Sequence, residues 1–292
     1  MRILVTIPHF FKAEAESRHS STDARRKANR RRAIEDILIG WRSHFDTTLT
    51  LQIDRRAYER TGGVASTLDL VVVVNRDDHL LDDALLRLTS TTVVRVDEEN
   101  PRMLPFATHR VMSERRGAYD WFVYSEDDLL VRDPSFFDKQ SAFQAQFGWR
   151  RVLQPNRFEL NRVGPQFKIF VDGNLRPGVT APYHQALPDE EFLHQTMGSA
   201  RITHRRALNP HSGFFCLGAD QLDHWIRQPH FGDRDSRFIS PLESAATLGI
   251  LKTFALYKPF GAHSGFLEIE HLDDRFSPKA PAKANPATNG RA

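Results

Sequence analysis

The sequence predicts an α/β fold, with a mostly parallel sheet flanked by helices and a less regular second half. Two observations predict it. Short apolar runs alternate with amphipathic segments over about the first 130 residues, as in successive β-α-β units. One of these runs, residues 68–74, is mostly valine and leucine, which is typical of a parallel strand covered on both faces.

The elements of the first half follow from periodicity. Residues 2–7 form a β-branched apolar run that we expect to end as a strand at Pro8. Residues 10–29 are polar and predict a loop. Residues 47–53 predict a second strand, and 93–96 a short strand after 68–74. Between the strands at 2–7 and 47–53, apolar residues that recur three and four positions apart predict a helix with one buried face. These residues are Ala33, Ile34, Ile37, Leu38 and Trp41.

The later elements are less regular. Residues 105–116 predict a helix that closes at Gly117, and residues 121–124 predict a buried strand. Residues 136–147 are helical in pattern. From 152 to 206, short strand-like runs such as 168–171 alternate with proline and glycine turns. Irregular segments of this kind tend to form substrate sites on a rigid scaffold.

Composition excludes several classes of protein. The chain has 292 residues, 40% of them hydrophobic and 26% charged, which are globular values. A net charge of +3 argues against nucleic acid as the main partner. The single cysteine, Cys216, excludes an internal disulfide and fits a reducing cytosol. No apolar run approaches the roughly 20 residues of a membrane span, and Pro8 comes too early for a secretory signal.

Three consecutive carboxylates follow the strand at 121–124: Glu126, Asp127 and Asp128. Such a cluster repels itself unless a cation or a set of donors faces it. Carboxylate oxygens are hard ligands that suit Mg²⁺ or Mn²⁺, and open α/β sheets bind ligands at the carboxyl ends of their strands. The alternative interpretation is a solvated acidic turn before Pro134. Neither GxGxxG after the first strand nor GxxxxGK[ST] is present, which argues against dinucleotide and P-loop folds.

Residues 122–131 and 133–137 resemble the metal-binding segment of GT-A glycosyltransferases, and are most similar to the Glu-Asp-Asp variant in N-acetylglucosaminyltransferase I. Residues 31–38 are similar as well. The resemblance implies a GT-A-like (Rossmann-like) fold. It implies that Asp128 is a direct metal ligand, that Glu126 contacts the ribose, and that Asp127 supports the metal or the sugar. On this basis we expect one catalytic domain over residues 1–276. Its nucleotide-binding half is 1–134 and its acceptor half is 135–276. Residues 277–292 are rich in proline, alanine, lysine and asparagine, with almost nothing to bury, and predict a disordered tail.

Six basic residues lie within eight positions: Arg25, Arg26, Lys27, Arg30, Arg31 and Arg32. They admit three interpretations: a solvated helix start, a diphosphate contact, or a patch for an anionic membrane surface. We expect Arg31 to contact the diphosphate and Pro8 to line the donor site, with the remaining charges facing water or lipid.

Two segments of the second half carry candidate residues. Gly213 lies in a turn before a buried strand; the resemblance places it near the donor sugar, and a tight turn explains it equally well. His211 is a weaker candidate acceptor contact. Glu243 completes a predicted capping box with Ser240, which is a structural role, whereas the resemblance implies a catalytic base for inversion. The other candidate bases are Asp235, Asp189, Glu190 and Glu191.

The resemblance also implies that a late histidine returns to the metal. His263, which lies between glycines, fits best, and His271 is second. The expected protein is therefore a cytoplasmic transferase, with peripheral membrane contact through the basic run. It uses Mn²⁺ or Mg²⁺ and moves sugar from a nucleoside diphosphate sugar to a hydroxyl. The rival interpretations are a nucleotidyltransferase, a two-carboxylate hydrolase, and a non-catalytic protein that binds anionic lipid or polysaccharide.

Overall fold

A computed structural model describes residues 1–14, 21–62, 67–161, 167–176, 178–184, 190–273 and 276–277. The α-helices are α1 (Lys27–Phe45), α2 (Asp83–Thr89), α3 (Pro105–Glu114), α4 (Phe136–Phe147), α5 (Ala219–Ile226) and α6 (Pro241–Leu251). The strands of the central sheet are β1 (Arg2–His9), β4 (Thr67–Asn75), β5 (Thr91–Val96), β6 (Trp121–Ser125) and β13 (Phe214–Gly218). The other strands are β2 (Thr48–Gln52), β3 (Ala57–Gly62), β7 (Leu129–Leu130), β8 (Arg151–Leu153), β9 (Asn156–Leu160), β10 (Lys168–Phe170), β11 (Phe192–Met197), β12 (Ala200–Arg206), β14 (Ala255–Pro259) and β15 (Glu268–His271).

The central sheet has the strand order β13-β6-β1-β4-β5. Strand β1 is parallel to both β4 and β6, and β5 is parallel to β4, while β13 runs antiparallel to β6. One apolar cluster covers one face with residues of α1 and α4, and a second covers the other face with residues of α3, α5 and α6. The prediction of an α/β fold with a mostly parallel sheet flanked by helices is therefore confirmed.

Two further four-stranded sheets make up most of the second half, in the orders β10-β9-β15-β7 and β11-β12-β14-β8. Strand β15 pairs antiparallel with β7, so that His271 lies opposite Leu129. This pairing brings the late part of the chain against the acidic turn. Helix α1 also packs closely on β7, since a Cβ on Gly40 would meet Leu130 Cδ1 at 2.4 Å.

The strand predicted at residues 47–53 is present as β2, but it lies outside the central sheet. Among the described residues it pairs with β3, as an antiparallel hairpin. The side chains of Leu49, Leu51 and Ile53 are all exposed. Helix α2 and strand β3 were not predicted at all.

Two predicted boundaries also shift. Strand β1 continues through Pro8 to His9, because β6 pairs with β1 only as far as Thr6 and the missing N–H of Pro8 does not face a β6 partner. Ser277, assigned to the tail, is buried and its N–H donates to Glu159 at 2.6 Å. Residues 278–292 lie outside the described ranges. Among the described helices, none combines the length and apolar character needed to cross a bilayer.

Candidate functional site

The acidic triplet lies at the carboxyl end of the parallel strands, as the sequence suggested. Strand β6 ends at Ser125, and the chain turns so that the N–H of Leu129 donates to the carbonyl of Glu126 at 3.3 Å. The N–H of Leu272 donates to the carbonyl of Asp128 at 2.8 Å. The turn is therefore fixed both by its own backbone and by the residue after β15.

Asp127 is fully engaged by protein donors. Its Oδ1 accepts from Nη2 of Arg30, and its Oδ2 lies 2.5 Å from Nδ1 of His9. His9 Nε2 accepts the Leu80 N–H at 3.1 Å, so the ring carries its proton on Nδ1 and donates it to Asp127. Burial opposes ionisation of Asp127, but Arg30 and His9 outweigh it and hold its pKa below the ordinary value. With both oxygens occupied, Asp127 supports the site.

Asp128 has one engaged and one free oxygen. Its Oδ2 accepts from Nη1 of Arg30 at 3.1 Å and lies 3.7 Å from Nε2 of His271. Its Oδ1 is buried without a hydrogen-bond partner among the residues described. Burial would raise the pKa of Asp128, but the charges of His271 and Arg30 hold it well below its usual range. Asp128 is thus an ionised carboxylate with one unused lone-pair site.

His271 is oriented by a second carboxylate. Its Nδ1 lies 2.8 Å from Oε1 of Glu159, whose other oxygen accepts the N–H groups of Phe276 and Ser277 at 3.0 and 2.6 Å. Burial alone lowers the pKa of His271, but Asp128 and Glu159 together raise it to about 10. A carboxylate on one ring nitrogen is the usual device that orients the other nitrogen toward a metal.

These contacts fit a divalent cation held by two protein ligands. The unpartnered Oδ1 of Asp128 would supply one oxygen. His271 would supply one nitrogen once a cation displaced the proton that its raised pKa keeps on Nε2. Nowhere in the described ranges do three or more His, Cys, Asp or Glu side chains form a metal-binding group. Mg²⁺ is commonly held by one or two carboxylates and completed by substrate phosphates and water. A cation here needs such additional ligands.

Glu126 faces the other side of the turn. Its Oε2 lies 3.8 Å from Nη1 of Arg157, and its N–H donates to the carbonyl of Gly213 at 2.9 Å. Gly213 has φ +59°, and a Cβ there would meet Glu126 Oε2 at 2.4 Å, so only glycine fits. Burial, reinforced by the charges of Asp128 and Glu243 and opposed by Arg157, raises the pKa of Glu126 to about 8.

The charge of Glu243 acts on this cluster, since it helps to raise the pKa of Glu126. The predicted capping box is wrong in its contacts. Ser240 makes no side-chain cap bond; its hydroxyl donates instead to Oε2 of Glu243.

The alternative base Asp235 is held at 2.8 Å by both Arg237 and Lys252, which lower its pKa. Glu191 pairs with Arg205, and Asp189 lies outside the described residues.

Two predicted site residues make their described contacts away from the triplet. Arg31 pairs with Glu35 and Asp82, whereas Arg30 reaches the triplet, because Arg30 lies on the buried face of α1. His263 lies apart from the triplet in its described contacts: its Nδ1 accepts the Thr203 N–H at 3.2 Å. His271, the second choice, has its Nε2 3.7 Å from Oδ2 of Asp128, and its role as a metal ligand stays a prediction.

The remaining candidate residues are paired with carboxylates, exposed or buried. Arg25 and Arg26 pair with Asp23 and Asp273, while Lys27 and Arg32 are exposed. Pro8 is buried next to His9. His211 is buried, with Nδ1 3.2 Å from Oγ1 of Thr247.

The sequence interpretation missed four residues that shape the site: His9, Arg30, Arg157 and Glu159. Arg30 had a usable signal, since it precedes Ala33 and Ile34 by three and four positions and so extends the apolar face of α1. The other three are brought in by sheet pairing across more than 30 residues, which periodicity does not report.

No family model and no curated protein matches the sequence. Among solved structures, S. aureus TarS 1-349 in complex with UDP matches with 12% identity and a TM-score of 0.43, over 88% of this chain and 57% of that one. Glucosyl-3-phosphoglycerate synthase from Mycobacterium tuberculosis, in complex with Mn2+, UDP and phosphoglyceric acid, matches with 15% identity and a TM-score of 0.32, over 75% of this chain and 56% of that one.

A CMP:2-keto-3-deoxy-manno-octonic acid synthetase complexed with CTP matches with 7% identity and a TM-score of 0.32. The chain thus spans little more than half of the TarS 1-349 fragment and of the synthase, and 35% of the longer TarS chain. Identities and TM-scores this low do not decide activity or substrate.

Proposed function

We propose that the protein is a GT-A-type glycosyltransferase that moves a sugar from a nucleoside diphosphate sugar to an acceptor hydroxyl, with inversion. The observation that supports it best is the buried pair of Asp128 and His271 at the carboxyl end of the parallel sheet. Asp128 Oδ1 has no partner there among the described residues, and Glu159 orients the imidazole. The closer likeness to N-acetylglucosaminyltransferase I stays a hypothesis.

In this proposal Asp128 and His271 hold Mn²⁺ or Mg²⁺, which when bound supplies charge stabilisation for the departing nucleoside diphosphate. Arg30 and His9 fix the triplet, because they occupy both oxygens of Asp127. Glu126 contacts the ribose. Gly213 leaves the room that Glu126 requires.

Glu243 is the proposed base. The Ser240 hydroxyl donates to its Oε2, which leaves Oε1 to accept the proton of the acceptor hydroxyl. A carboxylate in this role fits general base catalysis, and no covalent nucleophile is required.

The decisive measurement is calorimetry of the full chain with UDP and GDP, with and without Mn²⁺. We expect one of them to bind only when Mn²⁺ is present, and Asp128→Asn to weaken that binding at least about a hundredfold, since charge-assisted contacts are lost. Asp133→Asn is the matched control, because Asp133 is a nearby carboxylate paired with Lys139. Absence of nucleotide binding would reject the proposal, and CTP turnover with pyrophosphate release would favour nucleotidyl transfer.

We further propose a cytoplasmic location with peripheral contact to an anionic membrane surface. Lys27 and Arg32 are the exposed members of the basic run and supply the charge for it. Co-sedimentation with anionic vesicles, compared with neutral ones, measures this contact.

A further inference from the structure

A cavity of about 180 Å³ lies beside the carboxylate site, in the second half of the chain. Its walls come from the segment after β10, the end of β12, and the end of β14. Six of the lining residues carry its chemistry: Phe170, Asp172, Arg205, Arg206, Lys258 and Phe260.

The cavity shares a wall with the proposed donor site. Asp172 Oδ1 accepts from Nη2 of Arg157 at 2.8 Å, and Nη1 of the same guanidinium lies 3.8 Å from Glu126. Lys258 Nζ lies 3.1 Å from Asp172 and donates to the His211 carbonyl at 2.7 Å. A single guanidinium therefore links the cavity wall to the acidic triplet.

The cationic groups of the cavity differ in their engagement. Lys258 is satisfied by Asp172, and Arg205 pairs with Glu191 at 2.9 Å and lies over the Phe260 ring at 5.2 Å. The half-buried guanidinium of Arg206 has no hydrogen bond or ion pair within the part of the chain that the structure describes. A guanidinium has a planar fork of donors that matches a carboxylate or a phosphate.

The apolar part of the lining is also open. Phe170 and Phe260 are 40% and 42% exposed, and the cations of Lys168 and Arg205 lie over these two rings at 5.2 Å, so only part of each ring surface is accessible to a ligand. An aromatic face suits the carbon skeleton of a sugar or polyol, while an oxyanion on that skeleton meets Arg206. Neutral sugars would leave the guanidinium without a partner, at the cost of its partial desolvation.

We propose that this cavity is the acceptor site, and that the acceptor is a hydroxylated compound carrying an oxyanion, either carboxylate or phosphate. The acceptor role rests on the proposed function. Arg206 binds the oxyanion, the two phenylalanine rings pack against the carbon skeleton, and the shared wall directs a hydroxyl toward the donor side.

The test titrates the full chain with glucuronate, glucose 6-phosphate and glucose, followed by calorimetry. We expect at least one charged probe to bind about tenfold or more tightly than glucose, and Arg206→Met to remove that advantage. Which charged probe binds better distinguishes carboxylate from phosphate. Arg201→Met is the control, because Arg201 is an exposed arginine on the same strand, β12.

Equal binding of glucose and the charged probes, no binding of either charged probe, or an unchanged Arg206→Met variant would each overturn the inference. UDP binding with Mn²⁺ is measured in the same samples. Loss of UDP binding with retained preference for charged probes would reject the glycosyltransferase proposal and the acceptor role, but would leave the oxyanion site standing.

Discussion

The carboxylate site and the neighbouring cavity handle charge in opposite ways. At the end of β6, the guanidinium of Arg30 is 9% exposed and contacts two carboxylates. In the cavity, the guanidinium of Arg206 is half-buried and, within the described residues, has no such contact. Arginine thus serves as a structural counter-ion in one region, at Arg30, and as an open binding group in the other, at Arg206.

The difference separates what holds a site together from what the site can receive. A buried charge that is already paired fixes geometry, because removing either partner leaves the other uncompensated. A partly exposed, unpaired charge costs little to keep and gains a partner only when a ligand arrives. Identical substitutions in the two regions should therefore have different consequences.

The largest expected effect is on stability, from Arg30→Met. The change leaves Asp127 and Asp128 buried without their shared guanidinium, and breaking such a pair costs about 3–5 kcal/mol. Arg31→Met, next to Arg30 in the chain, should lower the free energy of unfolding by less than about 1 kcal/mol, because Arg31 makes only partly exposed ion pairs. Arg206→Met should cost equally little, because the structure gives its guanidinium no ion pair among the described residues. Urea unfolding measures the free energy of unfolding of the three variants. Equal losses for Arg30→Met and Arg31→Met would contradict the structural role of Arg30.

The next effect concerns Glu243, which lies near the triplet. Glu243→Gln keeps a carbonyl oxygen for the Ser240 hydroxyl, so melting and UDP binding should stay close to normal. Because an amide cannot take a proton, turnover should fall about a hundredfold or more. UDP release from the bound donor measures it.

Asp235→Asn is the comparison variant for Glu243→Gln. Asp235 is paired with Arg237 and Lys252, so its loss should lower stability more than rate. Normal turnover in Glu243→Gln would end the case for Glu243 as base.

The smallest effect is a pH dependence at Glu126. Its pKa is about 8 in the folded protein against an ordinary 4.5, so the folded state binds the extra proton between these values. The stability it contributes is complete below pH 4.5 and is lost as the pH rises through about 8. Glu126→Gln cannot ionise, and one pKa unit is worth about 1.4 kcal/mol.

We therefore expect the Glu126→Gln variant to gain at least about 1.4 kcal/mol of unfolding free energy at pH 9 relative to pH 5, compared with the wild type. Unfolding curves at the two pH values measure the gain. A variant that loses as much stability as the wild type on going from pH 5 to pH 9 would contradict the raised pKa of Glu126.

How far the sequence predicts this molecule depends on the range of the interaction concerned. Strands β4 and β6 and helix α4 are predicted closely, because local apolar patterns define them. The contact of Arg30, rather than Arg31, with the triplet follows from the phase of α1, because Arg30 lies on the buried face of that helix. This is a local signal of the sequence. His271 rather than His263 depends on β15 pairing with β7, more than 130 residues earlier in the chain.

The hairpin of β2 and β3 illustrates the opposite error. Its alternating leucines satisfy the pattern of a half-buried strand, yet none of Leu49, Leu51 and Ile53 is buried. A pattern of alternation identifies a face suited to burial, and it does not report whether another element covers that face. The cavity was beyond prediction for a related reason, since its walls come from four separated segments.

The antiparallel strand β13 has a consequence for how the chain is made. It covers the free edge of β6, pairing Phe214 with Ser125 and Gly218 with Trp121, but it is synthesised almost 90 residues later. Until it leaves the ribosome, an apolar strand edge stays open on the nascent chain, a hazard for edge-to-edge aggregation. A fragment that stops before β13 would keep that edge open permanently, so the parallel sheet and the second half must be completed together.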